Sequence, residues 1–244
     1  MQLHIFENNA ELSLEVAEWM TEMIESKLTM QDRFTLALSG GSTPQKLNAL
    51  LAAEPYASRI DWTKLHIFWG DERFVPIEDD RSNAKMAFDT LLDFVSVPME
   101  QIHVMRTDID PALAAFEYEQ VLHRYFDETE SSFDLVLLGM GDDAHTLSLF
   151  PGSPAVTEKE LWTTAFFLQS QDMFRITLTY PIVNRSEAIA FLTTGKNKAT
   201  ALKHVLEGNY EPEKYPSQLI KPTKGDLHWF VDKEAASELS QAGR

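Results

Sequence analysis

A mostly parallel, doubly wound α/β sheet flanked by helices is the fold the sequence predicts, and three observations carry that prediction. Short, largely apolar runs of strand length alternate with longer runs whose apolar residues recur at helical spacing. Four of the short runs, Phe34 to Leu38, Leu65 to Trp69, Leu135 to Leu138 and Ala188 to Thr193, each end in a glycine-rich or charged turn. Strands joined by right-handed crossovers bring such turns to one edge of the sheet, where ligands bind in open α/β folds.

Taken in order, residues 10–27 place Leu12, Val16, Trp19, Met20, Met23 and Ile24 on one helical face, with Asn8 or Asn9 as the cap. Strand Phe34 to Leu38 runs into S-G-G-S-T-P at 39–44, and Pro44 suits the first turn of the helix that carries Leu47, Leu50 and Leu51. Strand, glycine turn and helix together form a phosphate-binding arrangement: Gly40 and Gly41 free backbone N–H groups, Ser42 and Thr43 add hydroxyls, and the helix N-terminus adds positive potential. Thr43 serves equally as a helix cap, and the loop lacks the G-K-[ST] of a Walker A motif.

Leu65 to Trp69 leads into G-D-E-R at 70–73, and R-S-N at 81–83 precedes a helix over about 83–93. Arg81 near that helix start opposes the dipole, which suits either an anion site or an exposed pairing with Asp79 or Asp80. A strand is expected over Ile102 to Met105. A helix from Pro111 to Phe126 should turn Leu113, Phe116, Val121, Leu122 and Tyr125 inward.

The run F-D-L-V-L-L-G-M-G-D-D-A-H-T-L-S-L-F-P-G-S-P at 133–154 is the stretch the rest is arranged around. Gly139 and Gly141 permit a sharp turn, and Asp143 stands two residues before His145, where a carboxylate can orient an imidazole as a base. The same turn could merely cap a helix. Strand-like runs follow at 162–168 and 174–180, and Ala188 to Thr193 enters T-G-K-N-K with Lys196 and Lys198 at a helix start, a placement that favours a bound anion. Pro212, Pro216 and Pro222 break a loop before a strand at 228–232 and a last short helix. No repeat or linker interrupts residues 1–244, so one domain is expected.

Composition narrows the function. The 244 residues carry 38 acidic and 21 basic side chains, a formal charge of -17, which argues against sequence-independent binding to nucleic acid or to anionic membranes. The absence of cysteine excludes disulfides, thiolate nucleophiles and thiolate metal sites. The N-terminus lacks a basic start with an apolar stretch, and no segment is apolar enough to span a bilayer, so a cytoplasmic protein is expected.

With those turns in hand, the chain closely resembles the 6-phosphogluconolactonase family. The resemblance rests on S-G-G-S-T-P at 39–44, W-G-D-E-R at 69–73 with R-S-N at 81–83, and G-M-G-D-D-A-H-T-L-S-L-F-P-G-S at 139–153. It continues through R-I-T-L-T at 175–179, G-K-N-K-A at 195–199, Pro216 and G-D-L-H-W at 225–229. It implies a Rossmann-like, sugar-phosphate isomerase-like fold and hydrolysis of 6-phospho-D-glucono-1,5-lactone, with no metal or organic cofactor. His145 matches the family's general base, with Asp143 fixing its tautomer and Arg73 or turn N–H groups facing the oxyanion. Ser42, Thr43, Arg81, Arg175 and Lys198 match positions around the phosphate. The implied partner is the small sugar-phosphate lactone, and the implied assembly a monomer or small homo-oligomer.

Two departures stand out: Ala144 replaces a glycine common in the family, and Gln218 replaces a small residue, a change expected to be harmless. If the turn requires a positive φ at Ala144, alanine costs about 1 kcal/mol in strain or shifts the imidazole. Amino-sugar-phosphate deaminases share the fold, but there the Asp-Glu turn is followed by tyrosine and a glutamate lies five residues past the histidine; here Arg73 and Phe150 hold those places. A non-catalytic sugar-phosphate sensor is the third reading.

Overall fold

The computed structural model describes residues 1–240. Six strands form one wholly parallel sheet: β1 (Gln2–Phe6), β2 (Phe34–Leu38), β3 (Leu65–Trp69), β5 (Leu135–Gly139), β8 (Ala188–Thr193) and β9 (Asp226–Asp232), in the order β1-β9-β8-β5-β2-β3. From β2 the chain steps to β3 on one side, then returns across β2 to β5 and moves outward through β8 and β9. The strand order therefore reverses between β2 and β5, and a crevice opens there at the carboxyl ends of the strands. The turns after β2, β3, β5 and β8 all lie at that edge, as the strand–turn pattern requires.

Both faces of the sheet are covered. Leu135 and Leu137 face one way, with Leu36, Ile67 and Phe230, under α1 (Asn9–Leu28), α2 (Ser42–Leu51), the short α3 (Tyr56–Arg59) and α4 (Asn83–Thr90). Val136 and Leu138 face the other way, with Phe68, Phe191 and Trp229, under α5 (Pro111–Phe126), the short α6 (Tyr180–Val183) and α7 (Ala199–Glu207). Successive residues of a strand point to opposite faces, so a strand buried on both sides must be apolar at nearly every position. Asn8 caps α1, accepting from the N–H groups of Ala10 and Glu11, and Asp110 caps α5.

A second sheet joins β4 (Asp71–Arg73), β7 (Met173–Leu178) and β6 (Thr163–Leu168), all antiparallel. The G-D-E-R turn is thus a strand after Gly70: the chain leaves one sheet and enters the other within a residue. This places Asp71 and Arg73 opposite Thr177 and Arg175.

Three expectations fail in detail. No strand forms at 102–105; only Ile102 bridges Ile67, and His103 donates to the Ile67 carbonyl at 2.8 Å before the chain peels away from the sheet edge. On α5, Leu113 and Phe116 are exposed while Ala114, Ala115, Tyr118, Leu122 and Phe126 are buried. The small alanines allow close approach to β6 and the Tyr118 hydroxyl accepts from the Trp69 N–H at 2.9 Å, which rotates the helix away from its bulkier apolar residues. The predicted helix over 83–93 closes at Thr90, followed by a 3₁₀ turn at Leu92–Phe94. Strand β1 had no counterpart among the sequence expectations; its Leu3 and Ile5 alternate with Gln2 and His4 but stay exposed, and His4 and Phe6 form the partly buried side.

Candidate active site

A cavity of about 290 Å³ sits at the switch point, lined by Gly40 and Gly41 after β2, Asp71 and Arg73 of β4, Gly139 to Gly141 and His145 after β5, Arg175 of β7, and Lys198 before α7. A larger hollow of about 460 Å³ elsewhere, around Leu206, Ile220 and Trp229, has Lys221 and no histidine. Chemistry therefore assigns the smaller one.

The base is built from one turn. The Asp143 carboxylate accepts from the His145 backbone N–H at 3.1 Å and meets the imidazole Nδ1 at 2.5 Å. With Nδ1 carrying the proton toward Asp143, Nε2 is left to accept one. Burial alone would raise the Asp143 carboxyl; hydrogen bonding to His145 outweighs it and holds the carboxyl below the usual aspartate range, so it stays ionised at neutral pH. The imidazole stacks on Phe150, ring centroids 4.1 Å apart, and the Arg175 guanidinium lies 5.5 Å from the same ring. A Cβ at Gly141 would collide with His145 and Asp143, so only glycine lets that backbone pass beneath the ring.

Ala144 has φ +62° and Leu147 φ +54°, so the turn carries side chains in the left-handed region twice. The positive φ anticipated at Ala144 is present, and its methyl is fully buried. Glycine would relieve about 1 kcal/mol of strain but would remove a buried methyl worth about 0.8 kcal/mol. The expected result for Ala144→Gly is thus a stability change smaller than about 1 kcal/mol, measured by urea unfolding.

The cations are held differently from one another. Arg175, 3% exposed, donates to Asp71 Oδ2 at 2.7 Å and Gln171 Oε1 at 3.0 Å. Burial would raise the Asp71 carboxyl, but Arg175 and then Arg73 hold it below the usual range. Arg73 is anchored through Nη1 to the Arg81 carbonyl at 2.7 Å and makes no carboxylate ion pair among the described residues. Lys198 likewise has no carboxylate partner there. Glu72, 2% exposed, turns away from the cavity to accept from the N–H groups of Arg73, Asn83 and Ala84, supporting the start of α4. That brings the Asn83 amide onto the Asp71 carbonyl at 2.8 Å and against Gly40, where any Cβ would strike it.

Of the residues singled out in the sequence, His145, Arg73, Gly40, Gly41, Arg175 and Lys198 line the cavity, and Asp143 supports His145 from behind. Ser42 lines an adjoining hollow that shares Gly41, Arg73 and Asn83. Two stand apart. The Thr43 hydroxyl meets Thr194 at 2.9 Å, and the Arg81 guanidinium is exposed and clamped on Asp79 at 2.7–2.9 Å, so Arg81 serves the cavity only through its carbonyl. Sequence reasoning passed over Asp71, Asn83 and Gln171 as site residues, although Asp71 and Asn83 belong to the same W-G-D-E-R and R-S-N motifs; Gln171, in a turn between β6 and β7, had no signal. Among the described residues no group of three or more His, Asp or Glu is placed to hold a metal ion, and no helix is long and apolar enough to cross a membrane.

Residues 7–229 match the family model described as glucosamine-6-phosphate isomerases/6-phosphogluconolactonase. A 6-phosphogluconolactonase of Nostoc sp. is 42% identical over 89% of each chain. The solved 6-phosphogluconolactonase from Trypanosoma cruzi is 28% identical with a TM-score of 0.84, covering 98% of this chain and 97% of that one. A monomeric glucosamine-6-phosphate deaminase has the same TM-score of 0.84 at 21% identity, a likeness of fold alone, covering 98% of this chain and all of that one.

Proposed function

The chain belongs to the family of glucosamine-6-phosphate isomerases and 6-phosphogluconolactonases, and from that membership we propose that it hydrolyses 6-phospho-D-glucono-1,5-lactone to 6-phospho-D-gluconate, in the oxidative pentose phosphate pathway. The observation that carries this reading is one cavity in a chain of charge -17 that combines an oriented imidazole with Arg73, Arg175 and Lys198. A phosphorylated lactone is what such a cavity suits: an anion to hold and an activated carbonyl to attack. A single domain acting in the cytoplasm fits the same reading.

His145 Nε2 takes a proton from water as the water oxygen attacks the lactone carbonyl carbon, and Asp143 stabilises the imidazolium. Negative charge develops on the carbonyl oxygen, where Arg73, free of any carboxylate partner among the described residues, supplies a positive charge in a partly enclosed site. Collapse of the tetrahedral species breaks the bond to the ring oxygen, which receives the proton from His145. Lys198, Arg175 and the N–H groups of the 39–44 turn are left for the phosphate. Phe150 stacks on His145 where a deaminase would need a tuning carboxylate.

The test is a pair of assays: lactone hydrolysis above the spontaneous background, and ammonia release from glucosamine 6-phosphate. Hydrolysis without ammonia is expected; enzyme-dependent ammonia would overturn the assignment. Lys198→Ala should weaken phosphorylated ligands by about 1.5–3 kcal/mol, roughly 10- to 150-fold, while leaving a non-phosphorylated lactone nearly unaffected. Equal losses in KM for both lactones would assign Lys198 another role.

A further inference from the structure

The peptide joining Ala144 to His145 is gripped from outside the cavity. Ala144 separates the carboxylate from the imidazole, so a rotation about its φ moves one relative to the other. At φ +62° an alanine gains by relaxing toward negative φ unless neighbours prevent it. Within the turn, Gly141 N–H donates to the His145 carbonyl at 2.8 Å and Ala144 N–H to the Gly141 carbonyl at 3.1 Å. The His145 N–H and the Thr146 hydroxyl add bonds to Asp143 Oδ1 and the Gly139 carbonyl. A further hold on the Ala144 carbonyl comes from a segment more than seventy residues away: Ser217, 1% exposed, donates to it from its backbone N–H at 3.0 Å and from its hydroxyl at 2.8 Å.

We propose that Ser217 is a positioning residue for the catalytic histidine: its paired hydrogen bonds to the Ala144 carbonyl hold the turn in the conformation that aims His145. The inference rests on reading His145 as the base. Ser217 is itself fixed. It opens the second position of a 3₁₀ turn, Pro216–Leu219, and its neighbour Gln218 is 6% exposed and fully engaged. The Gln218 amide donates to the carbonyls of His204 and Asn209 at 3.0 and 2.9 Å and accepts from the Glu211 N–H at 2.7 Å. The glutamine expected to be harmless thus ties the 3₁₀ turn to the C-terminal end of α7, whose opposite end follows Lys198. One strut therefore sets the base and the cation relative to each other.

The test compares Ser217→Ala, Ser217→Cys, Ala144→Gly and the double variant Ser217→Ala/Ala144→Gly. Loss of one neutral hydrogen bond should lower kcat roughly 2- to 13-fold in Ser217→Ala, with KM within about two-fold. Ser217→Cys, which keeps the volume and weakens the donor, should show a smaller loss in the same direction. Glycine adopts a positive φ without the side-chain penalty, so the double variant should recover most of kcat relative to Ala144→Gly alone. NMR of the proton shared by His145 Nδ1 and Asp143 supplies a readout independent of substrate: the resonance should shift or broaden in Ser217→Ala and return in the double variant. Unchanged kcat and an unchanged resonance alongside a lowered Tm would reduce Ser217 to a structural contact, and a loss that Ala144→Gly fails to reverse would also overturn the proposal. Should the unsubstituted enzyme fail to hydrolyse the lactone, the lactonase reading falls, and the resonance alone still decides the role of Ser217.

Discussion

His145→Ala is expected to lower kcat for lactone hydrolysis by about 10²- to 10⁴-fold while the protein remains folded. No other imidazole borders the cavity, and the carboxylates near it are committed: Asp71 to Arg175 and Ser148, Asp143 to His145 itself. An ion-paired carboxylate held below the usual range is a poor proton acceptor, so neither can replace the lost base. The fold should tolerate the change because the His145 side chain is only partly buried, with 26% exposed, and its truncation leaves no buried polar group without solvent access. Substrate affinity should change little, since the groups proposed to hold the phosphate lie on other elements. Near-normal kcat after subtraction of the spontaneous reaction would remove His145 from the mechanism, and unfolding of the variant would show that its contact with Phe150 supports the loop.

Much of this site was legible because its sequence signals are local. A glycine turn after an apolar strand marks both where the strand ends and where backbone N–H groups become available, and Asp143 and His145 meet because a single turn residue, Ala144, separates them. The parallel order placed those turns on one edge without knowledge of any contact. What could not be read depends on pairings between distant segments. The pairing of the Arg81 guanidinium with Asp79 was one of the two local readings, but nothing near Arg81 reveals that its carbonyl anchors Arg73. The burial of Ala114 in place of Leu113 follows from how closely α5 approaches β6, and the work of Gln218 from the carbonyls at the end of α7. Helical periodicity sets a helix but not which of two adjoining faces packs inward when small residues stand beside large ones.

Asp71→Ala should be the most destabilising substitution around the cavity, with a loss of about 3–5 kcal/mol, because it strands a charge that has nowhere to go. Arg175 is 3% exposed, and Asp71 is the only carboxylate it pairs with among the described residues. Ser148 Oγ also donates to the Asp71 carboxylate, at 2.6 Å, and would lose its acceptor, whereas Asn83 Nδ2, 3.3 Å from that carboxylate, keeps the Asp71 backbone carbonyl at 2.8 Å. For a chain of this size that loss corresponds to a Tm drop of roughly 6–20 °C. The pair itself need not add net stability, since desolvating two charges costs about as much as their attraction returns; the double variant Asp71→Leu/Arg175→Met should therefore regain much of what the single one loses, while binding of the phosphorylated lactone stays impaired without the guanidinium. The pH dependence separates the two cases. A folded-state carboxyl held below its ordinary value stabilises fully above about pH 3.8, and that contribution fades as pH falls through the lower folded value. Acid unfolding followed by circular dichroism should show this component in the original chain and lack it in the double variant. A loss under about 1 kcal/mol in Asp71→Ala would mean that the pair is open to water and that Arg175 is free to swing onto the substrate without Asp71 to aim it.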